Sequence, residues 1–463
     1  MRNNPVSFSA HPSIDKQTSK WFYLLIFLSI FLTLDLLLLI VGKFNLLLSL
    51  IIPLIFLGCL MVLIRPEIGL YLIILAIPFD SYYFNIGFLN ISVSNALILL
   101  TLSSLLLQFL TNRFRFQWDT NYIFLSLILL SGLISTFIAI DFNKHTRSLV
   151  TVAGCCLTYF LAINIIRDRK TLKRSFYILG FAVIALALFG ITQSLFFRYL
   201  NTSILFGRSS EYIGSTVGPA TRLALPMASV VIQDKNAYAF FLLTLVPAFI
   251  YMLFTSKEKR IKAVYLMLSM IGAFAIFLSY SRGAWLGFVI SAATIILVII
   301  RNRFGKLWPT VFAAVGFIIF TIWVLGLNIV SEGVYQQAAN LNVASIDIRL
   351  NLWGLAWNNF LAHPLLGLGF EGFISKYTLV SHNGYLQVLV ALGIIGFIPF
   401  VILIIRSIVS ALRRLHRDYV FALLACLIAL LVASFFIDVF LSKNLWLLLG
   451  MLNAACMLGN REA

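Results

Sequence analysis

Charged residues are scarce in this chain of 463 amino acids. Lysine, arginine, aspartate and glutamate make up 11% of it, against about 25% in an ordinary soluble domain. Hydrophobic residues make up 61%, and the mean hydropathy is +1.02. The long apolar runs show no sustained alternation of period two. These absences argue against a soluble protein and against a β-barrel, and predict a multi-span helical membrane protein.

Cysteine is also rare, and its five occurrences form no chemical pattern. All of them lie in apolar segments, and none has a metal-ligand spacing to a histidine. Such cysteines behave as small hydrophobic residues and predict neither a disulfide framework nor a zinc site. The long polar loops also lack a carboxylate cluster that could hold a divalent cation. We therefore expect no metal and no cofactor.

Basic residues exceed acidic ones, which gives a net charge of +18. They sit in short clusters between apolar runs, without the interleaved aromatic residues of a nucleic-acid site. Orientation of membrane spans by the positive-inside rule explains them better. We expect membrane lipids and no nucleic acid as partners.

Fourteen apolar runs are candidate membrane spans. The run 68–79 is too short for a straight helix across about 30 Å of hydrocarbon, so it is either re-entrant or extends past Phe79. The prediction is an all-α polytopic bundle of 12–14 transmembrane helices, with residues 1–463 as a single membrane domain. The candidate spans are 21–40, 44–64, 68–79, 86–110, 121–140, 148–166, 175–197, 237–255, 262–279, 284–300, 308–327, 385–405, 419–437 and 444–458.

The distribution of cations predicts the orientation. With fourteen spans and an internal amino terminus, 23 of the 34 lysines and arginines fall on the inner side, as the positive-inside rule requires. Both termini are then cytoplasmic. Two long loops, 198–236 and 328–384, fall on the outer side. Loops of this length are usually functional or disordered.

The second loop is predicted to carry an amphipathic helix. Its apolar residues keep helical spacing, and proline disfavours helix at the residue before it. The helix should therefore stop at His363-Pro364. The apolar positions are Ile348, Leu352, Leu355, Trp357 and Phe360.

Four side chains on the predicted outer side could form a site. His382 lies where the second loop meets a span, and neutral imidazole accepts a proton near neutral pH. Arg222, Arg282 and Arg349 supply guanidinium groups, which match phosphate oxygens in a bidentate manner. Structural alternatives remain open, since each arginine could be a lipid anchor or a solvated charge and the histidine could cap a helix.

Other polar residues near the spans have structural interpretations at this stage. His145 has no evident companion in the sequence. Asp438 lies near the end of the thirteenth span, where it could pair with Lys443.

Several motifs together resemble the O-antigen ligase and polymerase superfamily of bacterial membrane proteins. The resemblance covers roughly residues 210–400, and the first half matches only in hydropathy. The motifs are SRGAWLG at 281–287, Arg349 with Trp353 and HPLLGLG at 363–369, HNGYLQ at 382–387, LGIIG at 392–396, and DKNAYA at 234–239 ahead of Pro247.

The resemblance implies a metal-independent glycosyltransferase of the C class in the bacterial inner membrane, with its active site facing the periplasm. The donor would be an undecaprenyl-diphosphate-linked glycan, and the acceptor a lipid A–core, a glycan or a protein. His382 would activate the acceptor hydroxyl, and Arg349 would stabilise developing charge or position the acceptor. Arg282 would hold the diphosphate with either Arg222 or Arg208.

Asn236 and Asn383 are further expected substrate contacts, because they lie in the motifs that carry the resemblance.

An O-antigen ligase is the favoured member. An O-antigen or exopolysaccharide polymerase and a protein O-oligosaccharyltransferase remain alternatives. A transporter or flippase fits less well, because the cations lie at one face and no matched pair of interrupted spans is evident. A membrane scaffold would leave the outward arginine–histidine set unexplained.

Overall fold

A computed structural model describes residues 46–86, 89–200, 234–279, 281–304, 349–415, 419–438 and 440–458. These residues are mostly helical, and the strands among them form one two-stranded hairpin. The elements are α1 Leu46–Ile64, α2 Pro66–Ala76, β1 Tyr83–Ile86, β2 Leu89–Ser92, α3 Val93–Leu110, α4 Asn121–Ser135, α5 Phe142–Ile165, α6 Arg169–Leu200, α7 Lys235–Leu243, α8 Val246–Thr255, α9 Lys259–Leu278, α10 Arg282–Phe304, α11 349–362, α12 Gly372–Tyr377, α13 Gly384–Leu412, α14 Val420–Ala433 and α15 Lys443–Leu458.

The prediction of an all-α polytopic membrane bundle is confirmed. Within the described ranges, seven helices or helix pairs are long and apolar enough to cross a membrane, and five more apolar helices are shorter. Together they fall on the twelve candidate spans that these ranges include. The candidate spans 21–40 and 308–327 lie outside the described residues.

The predicted span 86–110 begins too early. Its first residues belong to the hairpin, in which β1 and β2 pair antiparallel with Ile86 opposite Leu89. The helix α3 starts only at Val93, where the Ser92 hydroxyl caps it by accepting a hydrogen bond from the Asn95 backbone N–H at 3.3 Å. The run 68–79 does not extend past Phe79, because α2 ends in a 3-10 turn at Ile77–Phe79.

Two spans are interrupted. The predicted span 237–255 divides into α7 and α8, which meet at Thr244 and Leu245 ahead of Pro247. The predicted span 385–405 is α13, which has a non-helical residue at Gly393, with φ of 60° and ψ of −163°. Broken backbone within a span needs partners from the protein, because hydrocarbon offers none.

The amphipathic helix of the second loop is present as α11, and it ends before His363-Pro364 as predicted. Its predicted apolar face is partly wrong. Leu352 and Phe360 are buried, but Leu355 and Trp357 are exposed. The buried stripe instead follows positions 352, 356 and 360, which pack against α12 and the first turns of α13.

The described loops that carry the candidate site gather at one end of the bundle, which we call the loop end. The Gly384 N–H at the start of α13 donates to the Ser434 carbonyl just after α14, at 2.8 Å. Lys443 at the start of α15 reaches Asp80 just after α2, at 2.9 Å. These contacts place the first turns of α13 and α15 beside the last turns of α14 and α2.

Candidate active site

His382 lies in a short turn between the second loop and α13. Its backbone is left-handed, with φ of 52°, a region that non-glycine residues adopt infrequently. Next to it, the Asn383 side chain caps α13, because Oδ1 accepts hydrogen bonds from the Tyr385 and Leu386 backbone N–H groups at 3.1 Å each. On the other side, the Ser381 hydroxyl lies 3.0 Å from Gln387 Oε1. The turn therefore fixes the backbone of the half-buried histidine.

Asn383 has a structural role in this arrangement. Its side chain is buried, and its carbonyl oxygen is engaged by the helix cap. A contact between Asn383 and substrate stays a prediction.

The segment Asp234–Asn236 enters the loop end at the start of α7. Asp234 is the N-cap, and its Oδ1 accepts hydrogen bonds from the Asn236 and Ala237 backbone N–H groups at 2.6 and 2.9 Å. Lys235 and Asn236 then occupy the first turn with half-buried side chains. The cap thus sets where these two polar side chains leave the helix.

Three cations converge at the loop end. Lys235 interacts electrostatically with both Arg282 and Arg349. Burial, and then the positive charge of Arg282, lower the pKa of the Arg349 guanidinium. Like charges held together in a partly buried place raise each other's free energy until an anion neutralises them. The cluster of Lys235, Arg282 and Arg349 is therefore suited to bind a multiply charged anion.

His382 belongs to the same electrostatic neighbourhood. Burial and the charge of Arg349 lower the pKa of the imidazole below its usual value, while Asp234 acts in the opposite direction. The net effect keeps the ring neutral at pH 7. A neutral imidazole beside an anion-binding cluster can accept a proton from a hydroxyl group.

The motif 281–287 positions Arg282 through close helix packing. A side chain at Gly283 would come within 2.7 Å of Phe436 Cβ, and one at Gly287 within 2.4 Å of the Ala429 carbonyl. The two glycines, one turn apart, therefore let α10 lie against α14. Trp285 Nε1 also donates to the Ile276 carbonyl at 2.9 Å. These contacts hold the first turn of α10, which carries Arg282.

The HPLLGLG turn is inserted into the break of α13. The Leu368 N–H donates to the Val390 carbonyl at 2.8 Å, and the Ile394 N–H donates to the Pro364 carbonyl at 2.9 Å. The loop thus supplies partners for backbone groups that the break at Gly393 leaves without helical ones. Because α11 precedes the turn and His382 precedes α13, this contact ties the position of Arg349 to that of the histidine.

His145 also fixes the second loop, although the sequence offered no companion for it. The ring is buried, and its Nδ1 accepts a hydrogen bond from the Phe370 N–H at 2.8 Å. The opposite nitrogen, Nε2, must then carry the proton, which it donates to the Gly132 carbonyl at 3.0 Å. His145 therefore links α4, α5 and the turn 367–370 as a positioning residue.

The suggested pairing of Asp438 with Lys443 is wrong. Lys443 is buried, and its ammonium group pairs with Asp80 at 2.9 Å. The same group donates a hydrogen bond to the Ser94 hydroxyl at 2.8 Å. Asp438 is close to Glu371 instead, and burial raises its pKa to about 7. Asp80 lies more than 360 positions from Lys443, so proximity in sequence favoured the wrong partner.

Arg208 and Arg222 lie outside the described residues, so the choice between them stays a prediction.

Lys235 was missed by the sequence reasoning. The available signal was its place in the DKNAYA motif, on the same side of the membrane as the arginines. In the part of the chain that the structure describes, no three His, Cys, Asp or Glu side chains are grouped so as to hold a metal ion.

Comparison with known proteins agrees with the motifs. Residues 267–401 match the model of a protein family described as O-antigen ligase. A protein of Rickettsia conorii, provisionally named a polysaccharide ligase, is 26% identical over 335 residues, which cover 66% of this chain and 76% of the relative. The family match includes Arg282, Arg349 and His382. Residues 267–401 are thus similar to the O-antigen ligase family, and about two thirds of the chain is similar to this polysaccharide ligase relative.

Proposed function

We propose that this protein transfers a glycan from an undecaprenyl-diphosphate carrier to an acceptor hydroxyl, without a metal ion. The observation that carries the proposal is that Lys235, Arg282 and Arg349 interact electrostatically with one another, and that Arg349 in turn acts on His382. A cationic cluster without a proton acceptor would suit binding alone. The combination suits group transfer from a diphosphate leaving group.

The reaction can be written from these side chains. His382 accepts the proton of the acceptor hydroxyl as the oxygen attacks the anomeric carbon of the donor. The bond between that carbon and the diphosphate oxygen breaks, and its electron pair leaves with the diphosphate. Arg282, Arg349 and Lys235 neutralise the negative charge that grows on the leaving group. Guanidinium groups remain charged at every physiological pH.

The hydrogen bonds between the second loop and α13 support this assignment of roles. Proton transfer requires the base within about 2.6–3.2 Å of the hydroxyl, directly or through one water. The inserted turn 363–369 and the capped turn at His382 hold the base and Arg349 in a fixed relation. Such a fixed arrangement needs little reorganisation when charge develops.

Ligation to a lipid A–core acceptor on the periplasmic face of the bacterial inner membrane is the favoured form of the reaction. Polymerisation of repeat units and transfer to a protein hydroxyl are the alternatives within the family. Deletion of the gene distinguishes the first two. Loss of a ligase leaves long polymer on the carrier, whereas loss of a polymerase leaves single repeats there.

The central test is His382→Ala in a transfer assay with purified protein in nanodiscs and donor isolated from the host. We expect kcat to fall by about 10²–10⁴-fold, because the general base is removed. The matched control is His363→Ala, which truncates an exposed histidine just after α11. It should retain transfer.

Expression and thermal unfolding of both variants establish that they are folded. Transfer by His382→Ala at the wild-type rate would show that His382 is not the general base. Absence of transfer by the wild-type protein with every family acceptor would remove the proposed activity itself.

A further inference from the structure

A polar cavity of about 530 Å³ opens at the loop end, and none of its lining residues belongs to the cationic cluster. The cavity lies beside the hairpin and the first turns of α3, α5 and α15. Glu371 closes it on the remaining side. All of its lining side chains except Leu441 are polar or charged. This volume is within the range of small-molecule sites, about 300–1,000 Å³.

One wall of the cavity is built around a buried ion pair. Lys443 Nζ donates to Asp80 Oδ2 at 2.9 Å and to Ser94 Oγ at 2.8 Å, and it lies 3.4 Å from Ser92 Oγ. The Ser94 hydroxyl donates in turn to the other carboxylate oxygen of Asp80. The three protons of the ammonium group are thus used within the wall. This wall contributes dipoles and little net charge.

The opposite side carries a carboxyl group and two cations. Glu371, in a left-handed backbone conformation, accepts a hydrogen bond from the Ser148 hydroxyl at 3.2 Å. Lys144 pairs with Asp141 at 3.4 Å and lies 3.3 Å from Ser375 Oγ. Arg147 also lines the cavity. The lining therefore holds two carboxyl groups and three cations, so the cavity is less positive than the cluster of Lys235, Arg282 and Arg349.

One amide side chain of the lining has unused hydrogen-bonding capacity. Asn95 lines the cavity, and its Oδ1 is buried without a hydrogen-bond partner among the described residues. Buried polar atoms in native proteins nearly always have a partner. Gly154 on α5 faces the same atom, and a side chain at that position would come within 2.9 Å of it. The absence of a side chain at Gly154 therefore lets α5 pack closely against the Asn95 amide.

We infer that this cavity binds a sugar unit of a glycan substrate, at a distance from the reacting bond. Sugar hydroxyls both donate and accept hydrogen bonds, so they suit a lining of mixed carboxyl, amide, hydroxyl and cationic groups. A phosphate group would meet the carboxyl groups of Asp80 and Glu371, which disfavour it. The inference rests on the proposed glycan transfer and adds a subsite to it.

Asn95→Leu is the test variant, because it keeps the size of the side chain and removes its hydrogen bonding. The matched control is Asn143→Leu, at an exposed position on α5 outside the lining. Kinetics are measured separately against donor and acceptor. We expect Asn95→Leu to raise KM for one of the two substrates by about 3–10-fold, the size of one lost hydrogen bond, with kcat nearly unchanged.

The substrate whose KM rises identifies the glycan that occupies the cavity. Gly154→Ala, which places a methyl group against Asn95 Oδ1, should change the same KM. The control variant should change neither. If both KM values of Asn95→Leu match the wild type, the subsite does not exist, although glycan transfer still stands.

A binding measurement separates the two proposals. Saturation-transfer NMR is recorded with the free glycan released from the donor by mild acid, using wild type, Asn95→Leu and His382→Ala. Binding that Asn95→Leu weakens and His382→Ala retains supports the subsite, even if the wild type shows no transfer. A phospholipid that co-purifies with wild type and is lost from Asn95→Leu, detected by native mass spectrometry, would assign the cavity to a lipid headgroup and overturn the inference.

Discussion

Replacing Gly393 with alanine should detach the second loop from the membrane bundle. This glycine interrupts α13 with φ of 60° and ψ of −163°, a conformation that is essentially restricted to glycine. The break exposes the backbone groups to which the turn 363–369 binds. Gly393→Ala therefore tests whether that turn depends on the break.

The magnitude follows from two effects. An alanine in this backbone region is strained by about 1–3 kcal/mol. Its Cβ would also lie 2.2 Å from the Leu365 carbonyl oxygen, a backbone atom that cannot rotate away. Relief of this clash requires the turn to move, which breaks the hydrogen bond from the Ile394 N–H to the Pro364 carbonyl. Loss of one buried hydrogen bond costs about 1–3 kcal/mol, so we expect a total of about 2–6 kcal/mol.

Gly354→Ala is the matched control. Gly354 lies within α11, and no atom of the described residues outside that helix's own backbone lies within 4 Å of an added Cβ. Alanine at an open helical position should stabilise the helix by up to about 1 kcal/mol. Thermal unfolding in detergent, limited proteolysis of the segment 349–383 and glycan transfer are measured on both variants.

We expect Gly393→Ala to unfold at lower temperature, to be cleaved faster within the second loop and to lose transfer. The control should match or exceed the wild type in stability. Wild-type unfolding temperature and protease resistance in Gly393→Ala would refute the link between the helix break and loop position.

Three other predictions concern charge. The acid limb of the kcat/KM profile should have its midpoint below pH 6.5, because burial and Arg349 lower the pKa of His382. Activity is lost as the pH falls through that pKa, since the protonated imidazole is no longer a base. A midpoint above pH 7 in a pH series would contradict this. Arg282→Lys should lower transfer severely, since an ammonium group keeps the charge but loses the bidentate fork, and unchanged kcat and KM would show that charge alone suffices. Lys443→Met should lower the free energy of unfolding by about 3–5 kcal/mol, because it leaves Asp80 unpaired. The double variant Lys443→Met with Asp80→Asn should recover part of this loss in thermal unfolding. No recovery would contradict the pairing.

The candidate site was only partly predictable. Residue types suited to proton transfer and phosphate binding identified His382, Arg282 and Arg349 from one chain. Electrostatic contacts then join Arg282 to Arg349 and Arg349 to His382. Lys235 was missed, because its proximity to the arginines depends on where α7 and α10 begin relative to α11. The roles of all these residues await the experiments above.

The amino-acid sequence by itself determined the features that depend on local physical chemistry. Apolar runs fixed the positions of the spans, because each must shield its own backbone from hydrocarbon. Proline fixed the end of α11 at His363-Pro364. Only the tertiary structure decided which distant groups meet: Lys443 with Asp80, Phe370 with His145, and the turn 363–369 with the break in α13. Local patterns carry no information on such pairs, because the arrangement of helices in the bundle brings residues from distant parts of the chain into contact.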